Sequence, residues 1–377
     1  MKVLIAPDSF KDCLSARKVG EAIRTGILSL PGEWDIRIIP MADGGEGTTE
    51  ALVDATGGHY LYANVYDPLL RPIRARYGIL GDRKTAAIEM AAASGIEILS
   101  DNERNPWITS SFGTGQLVLD ALDRTCNRII IGIGGSATND AGVGMAQALG
   151  IEFLDASGKP VGPGGGELSK IARIETKDLD PRVRDCELII ACDVTNVLTG
   201  PHGASMVYGT QKGADRSMAE QLDENLNHFA RLIQEQLNLT VETIPGAGAA
   251  GGLGAGFLAF TGAVLHPGFD VVCRETRLNK HIQWADLVIT GEGKIDYQTQ
   301  FGKTPAGVAE ISKKYNKPVI ALAGSLGERY TDLYKLGFTA IVSILDKPGS
   351  LEEAIGITPR LLEQCAFAIM KLILIKL

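Results

Sequence analysis

A chain of 377 residues is longer than one hydrophobic core usually organises, so two domains are the natural expectation. Its 45 glycines exceed average usage, and beside 45% apolar and 22% charged residues they indicate many tight loops on a globular chain rather than disorder. A formal net charge of -8 and a pI near 5.3 argue against nucleic-acid or anionic-membrane partners, which need a basic face, while leaving room for small anionic ligands at local Lys, Arg and helix ends.

In chain order, "KVLIA" reads as a buried strand meeting a Pro-Asp turn, and a helix is expected from about Ala16 with Ser15 as N-cap. This start lacks a signal-peptide core and cleavage site. "DIRIIP" is a second strand, followed by the loop "MADGGEG" and a helix over "GTTEALVDAT". After Gly57, "HYLYANVYD", "RPIRARYGIL" and "KTAAIEMA" succeed one another with no helix between, as in a small antiparallel meander, and this change of texture marks a domain boundary. Alternation then resumes: "GTGQLVLDALD" is helical, "RIIIGIGG" a strand, "DAGVGMAQALG" helical and "ELIIACD" a strand. Between Ser217 and Leu239, apolar residues at 222, 226, 229, 232, 233 and 237 form one helical stripe, predicted to face a core. "DLVITGEG", the helix "TPAGVAEISKKY" and the strand "KPVIALAG" return to the pattern of the first sixty residues. A discontinuous outer domain over residues 1–60 and 284–377, with residues 61–283 inserted, is the economical reading. The apolar tail "CAFAIMKLILIKL" is too short and too interrupted by lysine to span a bilayer.

The six cysteines form no CxxC pair and the five histidines no HExxH, so neither a zinc site nor a redox pair is expected. Scattered reduced thiols suit a cytoplasmic location.

Four acidic or polar loops follow predicted strands: "PDSFK", "MADGGEG", "CDVTN" and "GEGKIDYQT". In an open α/β sheet, ligands bind in the crevice beyond the carboxyl ends of the strands. Gly44, Gly45 and Gly47 permit a backbone whose amides face a ligand at a helix start, with Asp43 and Glu46 ordering a cation or hydroxyl beside it. An acidic cap on an ordinary loop is the plainer alternative. Asp193, directly after an apolar strand, is expected to be partly desolvated and fits a general base or a magnesium ligand, or else an Asx turn. Glu292, Lys294, Asp296, Gln298 and Lys303, ahead of a helix start at Thr304, supply the carboxylate and lysine that phosphoryl transfer needs, unless they form a solvated loop. "IGIGGSATNDAG" brings Ser136, Thr138, Asn139 and Asp140 after a glycine-ended strand and suits a phosphate or polyol cradle; a glycine turn with an Asn or Asp N-cap would explain the last two residues but not the run before them. Two motifs are weak. "GAGAAG" fits GxGxxG without a strand before it, so close packing of small residues is expected; "FGKT" ends like a Walker A, but Tyr297 stands where the first glycine belongs.

Taken in order, "PDSFKDCLSA", "MADGGEGT", "GGSATNDAG", "ACDVTN", "QKGA", "GGLGAG" and "TGEGKIDYQT" with its following "GKTP" resemble the type 1 glycerate kinase family over nearly the whole chain. The resemblance implies an α/β fold of two domains, one flavodoxin-like or Rossmann-like with three layers and one restriction-enzyme-like, with the active site in the interdomain cleft. It implies ATP-dependent phosphorylation of D-glycerate to 2-phosphoglycerate with Mg2+, so that the partners are small molecules. Asp193 is then the candidate proton acceptor, with Asp43, Asp193 and Asp296 as candidate Mg2+ ligands. Asp296, Lys303 and Lys11 complete the catalytic candidates, either lysine neutralising the transferring phosphoryl. Asp8, Ser9, Asp43, Gly44, Gly45, Glu46, Ser136, Asn139 and Asp140 are candidates for binding substrate. The chain departs from the family pattern at Ala141, where "TNDGG" is usual, at Val197, where "DVTNPL" is usual, and at Tyr208 and Thr210, where "FGPQKGA" is usual. A non-catalytic sensor of a small hydroxy acid and a dinucleotide oxidoreductase built on "GAGAAG" are the competing classes.

Overall fold

The structure is a computed structural model that describes residues 1–375; Lys376 and Leu377, the end of the apolar tail and of the expected outer domain, lie outside the described residues. The chain divides into two compact units, one made of Met1–Asp43, Glu50–Thr56 and Phe269–Leu377, the other of Gly44–Thr49 and Gly57–Gly268. Among the described residues, no helix is long and apolar enough to cross a membrane.

The chain opens with β1 (Lys2–Ile5), α1 (Ala16–Leu28), β2 (Asp35–Ile38) and α2 (Thr48–Thr56). Ser15 is the N-cap residue of α1, although its hydroxyl makes no capping bond.

In the second unit β3 (His59–Tyr66), β4 (Pro72–Ile79) and β5 (Thr85–Glu89) pair antiparallel, as the meander pattern requires. After α3 (Ala91–Ser94) and α4 (Phe112–Asp123) come β6 (Arg128–Gly132) and α5 (Val143–Ala148), then the separate antiparallel pair β7 (Glu152–Leu154) and β8 (Arg173–Glu175). The unit continues through α6 (Pro181–Asp185), β9 (Glu187–Ala191), α7 (Ala204–Tyr208), α8 (Arg216–Leu237), α9 (Ala249–Thr261) and β10 (Val264–His266). Because β5, β6, β9 and β10 pair parallel, a six-stranded sheet of order β10-β9-β6-β5-β4-β3 is parallel at one end and antiparallel at the other. The helical stripe on α8 buries Leu222, Leu226, Phe229, Leu232 and Ile233, and Phe229 meets Phe153 and Phe260 at ring separations of 5.8 and 6.2 Å. The helix expected over "DAGVGMAQALG" starts later, at Val143, because Ala141 and Gly142 take left-handed φ values of 51° and 73°. Ala141 occupies the position where a glycine is usual, and it holds a backbone that costs an L-residue about 1–2 kcal/mol. "GAGAAG" enters α9 through a kink in which Gly251 has φ 68°, and a Cβ there would stand 2.0 Å from the Thr138 carbonyl oxygen. Close backbone packing accounts for that glycine.

The remainder of the first unit is α10 (Gly268–Glu275), α11 (Leu278–Trp284), β11 (Leu287–Ile295), α12 (Thr304–Lys314), β12 (Val319–Leu326), β13 (Ala340–Ser343) and α13 (Leu351–Ile373). Its five strands are all parallel, in the order β13-β12-β11-β1-β2. Counted within this unit that is the 2-1-3-4-5 order of flavodoxin-like sheets, whose switch point lies between β1 and β11. Side chains alternate along each strand. Val3, Ile5, Leu287, Ile289, Ile320 and Leu322 therefore share a core with Val19, Ile23 and Ile27 of α1 and with Leu361, Leu362 and Met370 of α13. Thr290 and Glu292 point from β11 to the other face, on the side of α12.

The two helices over that core touch at a glycine. A Cβ on Gly26 of α1 would stand 2.2 Å from the backbone oxygen of Glu363 in α13, so neither side can yield without moving a helix. We expect Gly26→Ala to lower the unfolding free energy by about 1–3 kcal/mol through overpacking, seen as a lower midpoint in urea unfolding. An unchanged midpoint would mean that α1 and α13 have slack at this crossing.

Candidate active site

At the switch point of the first unit, the loop after β1 and the end of β11 bring carboxylates together. Asp8 N donates to the Gly291 carbonyl at 2.8 Å, and Thr290 Oγ1 donates to the Ala6 carbonyl at 2.7 Å, which locks the loop to β11. Asp8 is buried, and its Oδ1 accepts from Ser9 N at 2.7 Å. Burial and the neighbouring charge of Asp43, with a smaller push from Glu292, raise its pKa to about 8 against the Thr304 hydroxyl and the Ser9 amide. Thr304 Oγ1 is itself buried and closes no hydrogen bond of good geometry.

Glu292 accepts from Thr299 Oγ1 at 2.6 Å and from Lys303 Nζ at 3.3 Å. Burial raises its pKa in spite of Lys303. Lys303 is the N-cap residue of α12, so a cation and a helix N-terminus, both attractive to anions, stand together. Asp296 is differently engaged: its carboxylate accepts from Gln298 N at 2.9 Å and pairs with Lys294 Nζ at 3.0 Å. Burial pushes its pKa up, but these donors bring it below the ordinary carboxylate value. Lys11 lies exposed two residues beyond Ser9.

The other candidates lie in the second unit. Gly44 has φ 95°, and a Cβ there would stand 3.0 Å from Gly268 Cα and 3.2 Å from Asp193 Oδ2. That position needs glycine twice over, for its backbone and for its neighbours. Asp193 accepts from Gly268 N at 2.8 Å, but it is exposed where the sequence suggested partial desolvation, since a strand-end position fixes a residue's place and not its burial. The amides at the start of α2 are also not what the glycine loop implied. Thr49 N donates to Glu89 Oε1 at 2.8 Å and the Gly47 amide meets the same carboxylate, so the chain supplies its own anion there. Gly45 is half-buried and Glu46 exposed.

The run from Ser136 to Asp140 is held from beneath. Ser136 is nearly buried, and Asn139 and Asp140 wholly so. Asp140 accepts from Ser111 N and Oγ at 2.8 and 2.9 Å and from Gly142 N and Gly144 N, both at 3.2 Å. Enclosed this way, its carboxylate shapes the loop instead of facing a ligand as expected. Lys212, buried, donates to Ser136 Oγ at 2.6 Å and to the Thr138 carbonyl at 2.7 Å. Thr138 Oγ1 and Asn139 Nδ2 are buried without partners.

Glu292, named from the sequence with Lys294, Asp296, Gln298 and Lys303, sits inside β11, where its signal is the "GEG" run, two glycines flanking an acid in a strand that should be apolar. Two further groups, Glu89 at the end of β5 and Lys212 in "QKGA", were not named as site residues from the sequence. Among the described residues, no three His, Cys, Asp or Glu side chains are grouped closely enough to hold a metal ion by themselves. Mg2+ commonly takes one or two carboxylates and completes its shell with substrate phosphates and water. Asp8 and Asp43 fit that need, because a divalent cation would offset both the burial and the neighbouring Asp43 charge that raise the Asp8 pKa. Asp296, taken up by Lys294, fits it poorly.

The family model described as the glycerate kinase family matches residues 3–374. A glycerate kinase of Halalkalibacterium halodurans is 50% identical over 364 residues, covering 97% of this chain and 96% of that protein. A glycerate 2-kinase of Escherichia coli is 49% identical over 94% of this chain and 93% of its own. The fold matches a crystal structure described as glycerate kinase 2 from Salmonella typhimurium LT2 with a TM-score of 0.91 and 46% identity, covering 99% of this chain and 98% of that one.

The buried Lys212 couples stability to pH. Burial pushes its pKa down to about 7, against the pull of Asp140. Between that value and the ordinary lysine range, the unfolded chain holds a proton that the folded chain has released, so stability rises with pH through this window and the gain is lost as pH falls to 7. Relative to Lys212→Met, the wild-type unfolding free energy should climb by up to about 1.4 kcal/mol per pH unit between about pH 7 and 10. Parallel profiles in chemical denaturation would show that Lys212 keeps its proton when buried.

Proposed function

The chain belongs to the glycerate kinase family, and from that premise we propose that it transfers the γ-phosphoryl group of ATP to the 2-hydroxyl of D-glycerate, giving 2-phosphoglycerate and ADP. The observation that carries this reading is the buried Asp8, crowded by Asp43 and Glu292 at the switch point of a parallel sheet and facing the Lys303 end of α12. Phosphoryl transfer is mostly positioning and charge neutralisation, and a bound cation would favour the ionised form of these carboxylates.

In the proposed reaction the substrate hydroxyl oxygen bonds to the γ-phosphorus as the bond from that phosphorus to the bridging oxygen breaks. ADP leaves with the electron pair, and the hydroxyl proton passes to a carboxylate and then to water. Lys303 and the N-terminus of α12 receive the transferring phosphoryl, and Glu292 orients Lys303. When bound, Mg2+ would be held by Asp8 and Asp43 with the phosphates of the donor, and would neutralise charge on them. Ser9 and Lys11, on the same loop as Asp8, are assigned to substrate and phosphate contact. In the second unit, Asp193 is the candidate proton acceptor, and Ser136, Gly44, Gly45 and Glu46 are candidates for holding the hydroxy acid. Asn139 and Asp140 position that loop.

A coupled assay separates this from a hydroxy-acid sensor: ATP, Mg2+ and D-glycerate should release ADP, and 31P NMR of the product should show the phosphate on the 2-oxygen. Asp193→Asn keeps shape while removing basicity, and general-base catalysis is worth roughly two to four orders of magnitude, so turnover should fall at least about a hundredfold. Excess Mg2+ should not restore it. Retention of more than about a tenth of the turnover would place Asp193 outside the chemical step.

A further inference from the structure

On the face of the first unit's sheet that carries α1 and α13, the apolar stripe stops short of the carboxyl edge. Leu287 and Ile289 on β11, and Ile320 and Leu322 on β12, are followed at the same alternating positions by Gly293 and Gly324. The pairing of Glu292 with Ala323 and of Lys294 with Ser325 sets these two glycines side by side. Where side chains would have continued the core there is instead a cavity of about 760 Å³. Its floor is glycine backbone. Its walls come from the loop after β1, the segment after β13 and the first turns of α13, including Phe10, Leu345, Leu351 and Ile357.

We propose that this cavity takes the purine nucleoside of the phosphoryl donor. The inference rests on the kinase reading above and adds to it the place of the base. The volume falls in the range of pockets for small organic ligands, about 300–1,000 Å³. An apolar slot over bare strand backbone suits a flat heterocycle. Asp12, Asp346 and Glu353 at its walls can accept from ribose hydroxyls or an exocyclic amine, while Lys11, Lys347 and Arg360 line the same walls, Arg360 pairing with Asp346 at 3.8 Å, so acids and bases offset one another there. In the proposed pose the phosphates run from the cavity to the carboxylate cluster, and the covalent continuity of the walls gives the direction. The loop that presents Phe10 to the cavity presents Asp8 to the carboxylate cluster two residues earlier, and Gly293 is the residue after Glu292. Cavity and cluster are back to back across the edge of β1 and β11. A nucleotide laid over that edge has its base on the α13 side and its terminal phosphates on the α12 side, with Lys11 between.

Ala354, half-buried in the first turns of α13, lines the cavity and takes no part in the proposed chemistry. Ala354→Trp should raise the KM for ATP and weaken binding of a fluorescent ADP analogue by at least about tenfold, while the KM for D-glycerate stays within about twofold. A folded variant with unaltered nucleotide affinity overturns the proposal. An independent measurement uses the wild-type chain. Cys13 lines the same cavity with its Sγ 3.6 Å from the Ile355 carbonyl, so saturating ADP should slow its alkylation by iodoacetamide, read by mass spectrometry, and D-glycerate should not. Unslowed alkylation of Cys13 under saturating ADP overturns it as well. The outcomes also separate the two readings. Protection of Cys13 by ADP without turnover of D-glycerate would keep the nucleoside pocket and remove the glycerate kinase, whereas turnover without protection would do the reverse.

Discussion

Like charges kept near one another out of water are the constraint on which the first unit turns. Burial first, and then the charges of Asp43 and Glu292 at the end of a parallel sheet, push the Asp8 pKa up to about 8. Such an arrangement is unfavourable for the protein alone. It is tolerated because the strands beneath it are firmly set: β1 is hydrogen-bonded between β2 and β11, and its apolar residues are wholly buried. The glycines of the cavity beside it, Gly293 and Gly324, continue from the same strands. One rigid element thus presents acids on one face and open backbone on the other, which is the division of labour a nucleotide-dependent transfer requires.

The second unit solves a different problem, that of shaping polar loops without secondary structure. Its loop from Ser136 to Asp140 is fixed by a buried lysine below and a buried aspartate within, each making bonds to backbone as well as to side chains. Buried polar groups are stable only when satisfied. Asp140 meets that condition with four donors, while Thr138 and Asn139 each keep one atom unpaired. The charge of Glu89 at the start of α2 is a further case of the chain meeting its own electrostatic demand.

The strands of the five-stranded sheet were legible because a buried parallel strand is a short, nearly continuous apolar run, and "KVLIA", "DLVIT" and "KPVIALA" are such runs. The stripe on α8 was legible for the matching reason, its 3.6-residue period. The "PDSFK" and "GEGKID" loops could be named as sites because acids directly after apolar strands stand out. Burial and pairing could not be read, since they depend on what the fold brings from elsewhere. That is why Asp193 proved exposed, Asp140 enclosed and Asp296 committed to Lys294. It is also why nothing in "QKGA" announced the burial of Lys212, and why the late start of α5 was hidden in the left-handed turn at Ala141.

If the carboxylates at the β1 and β11 edge manage the charge of the phosphoryl donor, they hold a divalent cation together with it. Mn2+ binding in the presence of ADP, followed by the electron paramagnetic resonance signal of free Mn2+, tests it without relying on turnover. A ternary complex is expected in the wild-type chain, with Asp8→Asn and Asp43→Asn each needing at least about tenfold more Mn2+ to form it. Equal Mn2+ affinity in the wild-type chain and in both folded variants would contradict it.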